Sequence, residues 1–279
     1  NATALQTSTF NLSSIVGPIL AGSLIALFSI GGKSSFYSVG LVFFVITSLL
    51  FIATFLTLFI KHHGKPENTT TTSSLEDFKE GFNFVWKEKT ILGLLLMGLL
   101  PSAFGKASNF LLPAFNQDVI SGGPEELGIL SAGMGVGALL GSLLLANLSN
   151  FKRKGKLMLG TAYGWALAIL TFALTGSLTM AILFGAVAAF FGSIFGALNM
   201  SLIQLQAPQY IRGRVISLLI VMSGVMPLAV VPIGGVAEYL GVSVALAFAA
   251  MMVGLSVWIL NALFPKLKGI SNISETNAG

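Results

Sequence analysis

The chain is predicted to be an all-α integral membrane protein, and three observations carry that expectation. Of its 279 residues, 54% are hydrophobic and only 9% are charged, against about 25% charged in soluble domains; mean hydropathy is +0.89. Apolar segments of about 20 residues, the length of a helix that crosses a bilayer, can be placed eight times. Lys and Arg then fall in alternate intervals between them, the pattern that orients helices in a membrane.

The segments are Leu12–Ile30, Phe36–Ile60, Ile91–Phe115, Leu127–Leu148, Leu157–Gly176, Thr179–Leu205, Val215–Ala237 and Val242–Phe264. Basic residues follow the even segments: Lys61, Lys65, Lys79, Lys87 and Lys89; Lys152, Arg153, Lys154 and Lys156; Arg212 and Arg214; Lys266 and Lys268. Of the odd intervals, the first holds Lys33 and the second is acidic, with Asp118, Glu125 and Glu126. An error of one helix would scatter the basic loops over both sides, so the alternation tests the span count. It also places the even loops and the C-terminus in the cytoplasm.

Composition excludes several classes. With no cysteine there is no disulfide framework and no thiolate metal site. The net charge of +5 sits in short loops, which argues against a nucleic-acid partner. His62 and His63 are adjacent in a linker and no acidic pair lies in a span, so no metal, cofactor or enzyme chemistry is expected. The chain starts at Asn1 with no signal-peptide pattern, which predicts a processed or truncated start.

The first segment carries Asn11, then Gly17, Pro18 and Gly22. Proline removes a backbone hydrogen bond and bends a membrane helix, and glycine lets a neighbour approach the bend. The second segment is rich in Phe and reads as lipid-facing. From His62 to Ser74 the chain is polar and Thr/Ser-rich, a solvated linker. Ser73 and Glu76 then have capping-box spacing, and Leu75, Phe78, Phe82, Val85 and Trp86 recur at helical intervals, predicting an amphipathic helix on the membrane surface.

The third segment is the most polar, with Pro101, Lys106, Ser108, Asn109 and Pro113. A central ammonium costs about 2.5–3.5 kcal/mol on insertion scales, so Lys106 either faces a cavity or snorkels to the outer headgroups. Asn109 is the better cavity candidate if both prolines kink the helix. In the fourth segment Gly133, Gly137 and Gly141 form a four-residue ladder that predicts close helix packing.

Tyr163 and Trp165 make the fifth segment look peripheral. The sixth combines Gly185, Ala188, Gly192 and Gly196 with Asn199, Ser201, Gln204 and Gln206. At its exit Pro208 ends a helix and Gly213 permits a tight reversal, while Arg212 and Arg214 can hold carbonyl ends or carboxylates in a planar geometry lysine cannot copy. The seventh repeats the Pro/Gly theme, with Met222 and Met226 as adaptable apolar lining. Glu238 falls just past that span. The eighth is plainly apolar, and the tail from Gly269 is expected to be disordered.

Four local motifs resemble exporters of the major facilitator superfamily. Gly17-Pro18-Ile19-Leu20-Ala21-Gly22 is similar to the antiporter motif on the fifth helix. Glu80-Gly81-Phe82-Asn83-Phe84-Val85-Trp86 resembles the entry to the seventh helix in the macrolide and siderophore exporter branch. The basic loop after the fourth segment occupies the place of the superfamily's glycine, acid and basic motif, although Asn147 stands where an aspartate is expected. Gln204 to Ser217, with Pro208 and Arg212-Gly213-Arg214-Val215, resembles the junction of the tenth and eleventh helices.

The resemblance implies a twelve-helix fold of two six-helix bundles, of which these eight segments would be helices five to twelve, with the first four absent. Residues 1–60 would close the N-terminal bundle, 61–90 form a cytoplasmic linker, 91–268 form the C-terminal bundle, and 269–279 form the tail. It further implies alternating access at a midplane site and proton-driven export of a small amphipathic compound by a monomer in the cell membrane. Asn11, Lys106, Asn109, Asn199, Gln204, Met222 and Met226 are the candidate cavity residues. Gly17, Pro18 and Gly22 form the candidate hinge, and Pro208, Arg212, Gly213 and Arg214 the candidate cytoplasmic gate. A non-transporting membrane scaffold or receptor is the alternative.

Overall fold

A computed structural model describes residues 35–59, 74–147, 153–208 and 210–270. Asn11, Gly17, Pro18, Gly22, the first apolar segment and most of the Thr/Ser linker lie outside the described residues. The rest is helical, with no strand among the described residues: α1 (Ser35–Leu58), α2 (Ser74–Lys87), α3 (Lys89–Gly105), α4 (Ala107–Asp118), α5 (Pro124–Asn147), α6 (Lys154–Ala173), α7 (Leu178–Gln206), α8 (Arg212–Val225), α9 (Val230–Leu240) and α10 (Val242–Leu263). Among the described residues six helical stretches are long and apolar enough to cross a membrane, α3–α4 and α8–α9 each counting as one. The α1 helix adds 24 further residues, and Phe43, Phe44, Phe51, Phe55 and Phe59 near its C-terminal half are exposed.

Two of the membrane crossings are interrupted, and their sequences explain how. Within Lys89–Asp118, Pro101 and Pro113 lack the amide proton that would bond four residues back. Between them the chain tightens at Lys106, where the Asn109 amide bonds the Lys106 carbonyl at 3.0 Å in an i to i+3 turn. In the seventh segment, Pro227 falls in a short 3-10 turn, Met226–Ala229, that separates α8 from α9. Gly241 turns the chain from α9 into α10 at φ 91° and ψ 156°, a region essentially restricted to glycine.

The helices pack around α7, against which α5 and α6 make the most extensive contacts. The glycine ladder of α5 lies on the α5–α7 seam: a methyl group at Gly133 would meet Ile182, at Gly137 the Ala186 carbonyl, and at Gly141 the Phe190 carbonyl. Both helices therefore meet along rows spaced four residues apart, one backbone against the other. Behind α7, α6 packs on α10 and α10 on α3. One apolar cluster, including Leu94, Met158, Trp165, Phe195 and Val257, fills one half of the bundle. A second, including Leu112, Phe115, Phe172 and Leu246, fills the other, with the Phe115 and Phe172 ring centroids 4.5 Å apart. Phe104 touches both clusters.

The basic loops meet at one end of this bundle. The Gly155 amide at the start of α6 bonds the Ile270 carbonyl at 3.2 Å beyond α10, Phe264 lies against Gly93 of α3, and Arg214 of α8 pairs with Glu80 of α2 at 2.6 Å. Lys89, Arg153, Lys154, Arg212, Arg214, Lys266 and Lys268 therefore share an end. Asp118, Glu125 and Glu126 lie at the other end, where the Gly123 amide donates to Glu126 Oε2 at 2.7 Å and completes half of a capping box.

Two boundary expectations are corrected. The tail begins later than Gly269, because Ile270 is buried and its carbonyl is bonded to α6. The α2 helix is not simply laid on a membrane surface. Gly81 and Val85 are buried, a methyl at Gly81 would stand 3.2 Å from Arg214 Cβ, and Phe84 meets Tyr210 edge-on at 6.4 Å. Phe82 and Trp86 remain outward, stacked at 5.9 Å. Glu80 and Arg214 are 55% and 27% exposed, so their ion pair contributes less than about 1 kcal/mol and mainly sets the angle of docking.

Candidate functional site

A cavity of about 480 Å³ lies among α3, α4, α5, α6 and α7. The interruption of the third apolar segment supplies its polar wall: Ser102, Lys106, Ser108 and Asn109 all line it. The opposite walls are small or apolar, including Met134 and Ala138 from α5 and Ala188, Gly192 and Gly196 from α7. Small side chains leave the space, and the proline-flanked turn directs polar groups into it.

Trp165 of α6 forms part of the lining and is only 8% exposed. Its ring is held between glycines of two other helices. A methyl at Gly105 would overlap the far edge of the indole, and one at Gly192 would stand 3.0 Å from Cε2 and Nε1. Phe195 closes the stack with a centroid distance of 5.7 Å. The expectation that α6 is peripheral is corrected: the face bearing Trp165, Ala166 and Ile169 is buried, and Lys156, Gly160, Tyr163 and Leu167 look outward. Nothing in the spacing around Trp165 marks it, because the glycines that hold it lie on α3 and α7.

Three of the four serines lining the cavity, Ser108, Ser142 and Ser193, have already committed their protons. Ser108 Oγ donates to the Gly105 carbonyl at 2.6 Å, Ser142 Oγ to Leu139 at 2.9 Å and Ser193 Oγ to Phe190 at 2.9 Å. Lys106 and Asn109 are both exposed and neither forms a side-chain hydrogen bond or ion pair among the described residues. Lys106 is among the residues that line this cavity.

The other predicted cavity residues lie elsewhere. Asn199 is 4% exposed and ties helices together: its Nδ2 donates to the Leu94 carbonyl of α3 at 2.9 Å and approaches Met158 Sδ of α6 at 3.8 Å. The same approach requires a glycine, since a methyl at Gly98 would come 2.5 Å from Asn199 Oδ1. This corrects its assignment from cavity wall to interhelical tie. Met222 packs on the first apolar cluster, Gln204 does not line the cavity, and the Met226 side chain is outside the described residues. Asn199→Ala is expected to lower stability by about 1 kcal/mol, the scale of a polar interhelical contact in a membrane protein. A detergent-denaturation midpoint measures it.

At the α7–α8 junction Pro208 pushes Ala207 into extended backbone, φ −77° and ψ 121°, and ends α7. The Ile211 and Arg212 amides both bond the Pro208 carbonyl, at 3.1 and 3.0 Å, which makes the reversal. Gly213 is corrected from that role: it lies in the first turn of α8, with nothing within 4 Å of an added methyl. Arg212 Nε donates to the Ala207 carbonyl at 3.2 Å and Arg214 reaches Glu80. The pair thus serves one carbonyl end and one carboxylate.

Sequence reading missed Asn116. It is 3% exposed, its Nδ2 donates to the Gly123 carbonyl at 3.0 Å, and its own carbonyl accepts from Gly122 at 2.8 Å. An asparagine shortly before Gly122-Gly123 was the available turn signal.

Comparison with known proteins agrees with this architecture. The multidrug efflux pump Tap of Mycolicibacterium fortuitum is 26% identical over 221 residues, 78% of this chain and 52% of Tap. The enterobactin exporter EntS of Shigella boydii serotype 18 is 26% identical over 214 residues, 77% of this chain and 49% of EntS. EntS of Escherichia coli O1:K1 is 25% identical over the same length. The chain spans about half the length of the curated relatives it matches. A model of the transmembrane secretion effector family matches residues 1–277, and the chain belongs to that family within the major facilitator superfamily.

Proposed function

We propose that the protein exports a small amphipathic compound across the cytoplasmic membrane by alternating access, with protons as the driving ion. The single observation that carries this reading is the cavity of about 480 Å³ at the interrupted α3–α4 crossing, large enough for a drug-sized solute. Phe104, beside the polar wall, packs against both apolar clusters, which supports a site away from both ends of the bundle. An intramembrane lysine and amide mark a pathway, and the apolar remainder binds by contact area. The similarity to a multidrug efflux pump and an enterobactin exporter supports efflux of small molecules.

The basic end of the bundle is the cytoplasmic one in this reading, with the C-terminus there. Among the described residues the carboxylates sit at helix ends and none near the middle of a span, so the proton carrier belongs to another part of the transporter. The test is accumulation of fluorescent cations, macrolides and siderophores in cells expressing the protein at its full natural length, with and without a proton gradient. Asn109→Ala is expected to lower efflux about tenfold if its amide contacts solute, as loss of a directed hydrogen bond in a dry site does. Unchanged efflux at equal expression removes Asn109 from the site, and no efflux of any compound removes the reading.

A further inference from the structure

The cavity is electrically one-sided. Lys106 brings a full positive charge into it, and no carboxylate lies within ion-pair distance of Lys106 among the described residues. The nearest acid along its own helix is Asp118, roughly 18 Å along the axis at 1.5 Å per residue. Trp165 adds an indole N–H that forms no hydrogen bond among the described residues, and Asn109 adds an unpartnered amide. The hydroxyl protons of Ser108 and Ser193 are turned back onto their own helices. Met134, Ala188 and the body of the indole complete the lining.

We infer that the cavity selects amphipathic anions: an apolar body against Trp165 and Met134, and a carboxylate or phenolate head on Lys106. This rests on the export reading and names the substrate class of the same site. An unpaired ammonium in an apolar span is costly, and an anionic head recovers that cost. A cationic head would meet like charge, with no acid among the described residues to offset it. Apolar area alone would favour no head group, so discrimination by charge has to come from Lys106.

A matched series tests it: pyrenebutyrate, pyrenebutanol and pyrenebutyl-trimethylammonium, which share one body. Binding is read by pyrene anisotropy with the full-length transporter in nanodiscs, and transport in proteoliposomes. Pyrenebutyrate is expected to bind about tenfold more tightly than the alcohol, the scale of one charge-assisted hydrogen bond, and the cation more weakly than either. Lys106→Gln should bring the butyrate-to-alcohol ratio to parity, and Lys106→Arg should keep it. Equal binding of the three heads in the unaltered protein, with transport intact, overturns the anion preference and leaves export standing. Failure to bind or transport any of them overturns both. A phosphate on a lipid is the other anion Lys106 could hold: if the preference vanishes when phosphatidylglycerol replaces phosphatidylcholine, while Lys106→Gln abolishes that lipid effect, the lysine is a headgroup anchor and the inference falls.

Discussion

Gly137→Leu is expected to disrupt the native packing of the bundle. A methyl at Gly137 already overlaps the Ala186 carbonyl oxygen and stands 2.6 and 2.8 Å from the carbonyl carbon and Cα of Ala186. These are backbone atoms of another helix, so no rotamer change relieves the contact and α5 must move away from α7. Overpacking a tight site costs about 1–3 kcal/mol and occasionally more; here the whole seam from Gly133 to Gly141 opens, so roughly 3 kcal/mol or more is expected. Leucine is more apolar than glycine, so insertion into the membrane is not impaired and the loss is one of packing. Gly160→Ala is the control, because an added methyl there meets nothing within 4 Å; it should be neutral or stabilise by up to about 1 kcal/mol through helix propensity. Thermal midpoints followed by size-exclusion profiles measure both. A Gly137→Leu protein with an unaltered midpoint would show that α5 and α7 do not meet along this row.

Trp165→Ala is expected to cost about 3–5 kcal/mol, the range for truncating a large buried aromatic side chain. The ring is the common contact of α3, α6 and α7, pressed against Gly105, Gly192 and Phe195, and these faces cannot close onto a methyl. The void also enlarges the cavity that Trp165 lines. Two readouts separate these consequences: the unfolding midpoint falls, and at a temperature where the variant is folded, affinity for an aromatic solute falls as well. Trp165→Phe fills most of the space and should lose less on both. Were Trp165→Ala as stable as the parent, the placement of the indole between two glycines would be refuted.

The sequence was informative where the physics is local. Span length, the Gly133–Gly137–Gly141 row and an interruption between Pro101 and Pro113 all follow from helical repeat or from a missing amide proton, properties a segment carries without knowing its neighbours. The Arg212 and Arg214 partners were foreseeable as types, a carbonyl and a carboxylate, and only their identities, Ala207 and Glu80, needed the structure. Gly213 was misread because a glycine near a turn signals freedom, whereas the turn here is made by the Pro208 carbonyl accepting two amides.

By itself the sequence determined that the chain is a set of membrane helices with one basic side, a close glycine seam and an unusually polar third crossing. Tertiary structure alone decided that Asn199 is a tie and not a wall, that Trp165 is enclosed and not peripheral, and that Lys106 lines a cavity with no counter-charge among the described residues. The division has one cause. In lipid every helix is apolar nearly all round, so hydrophobic periodicity no longer tells which face meets a neighbour; that is set by which small residues on other helices leave room.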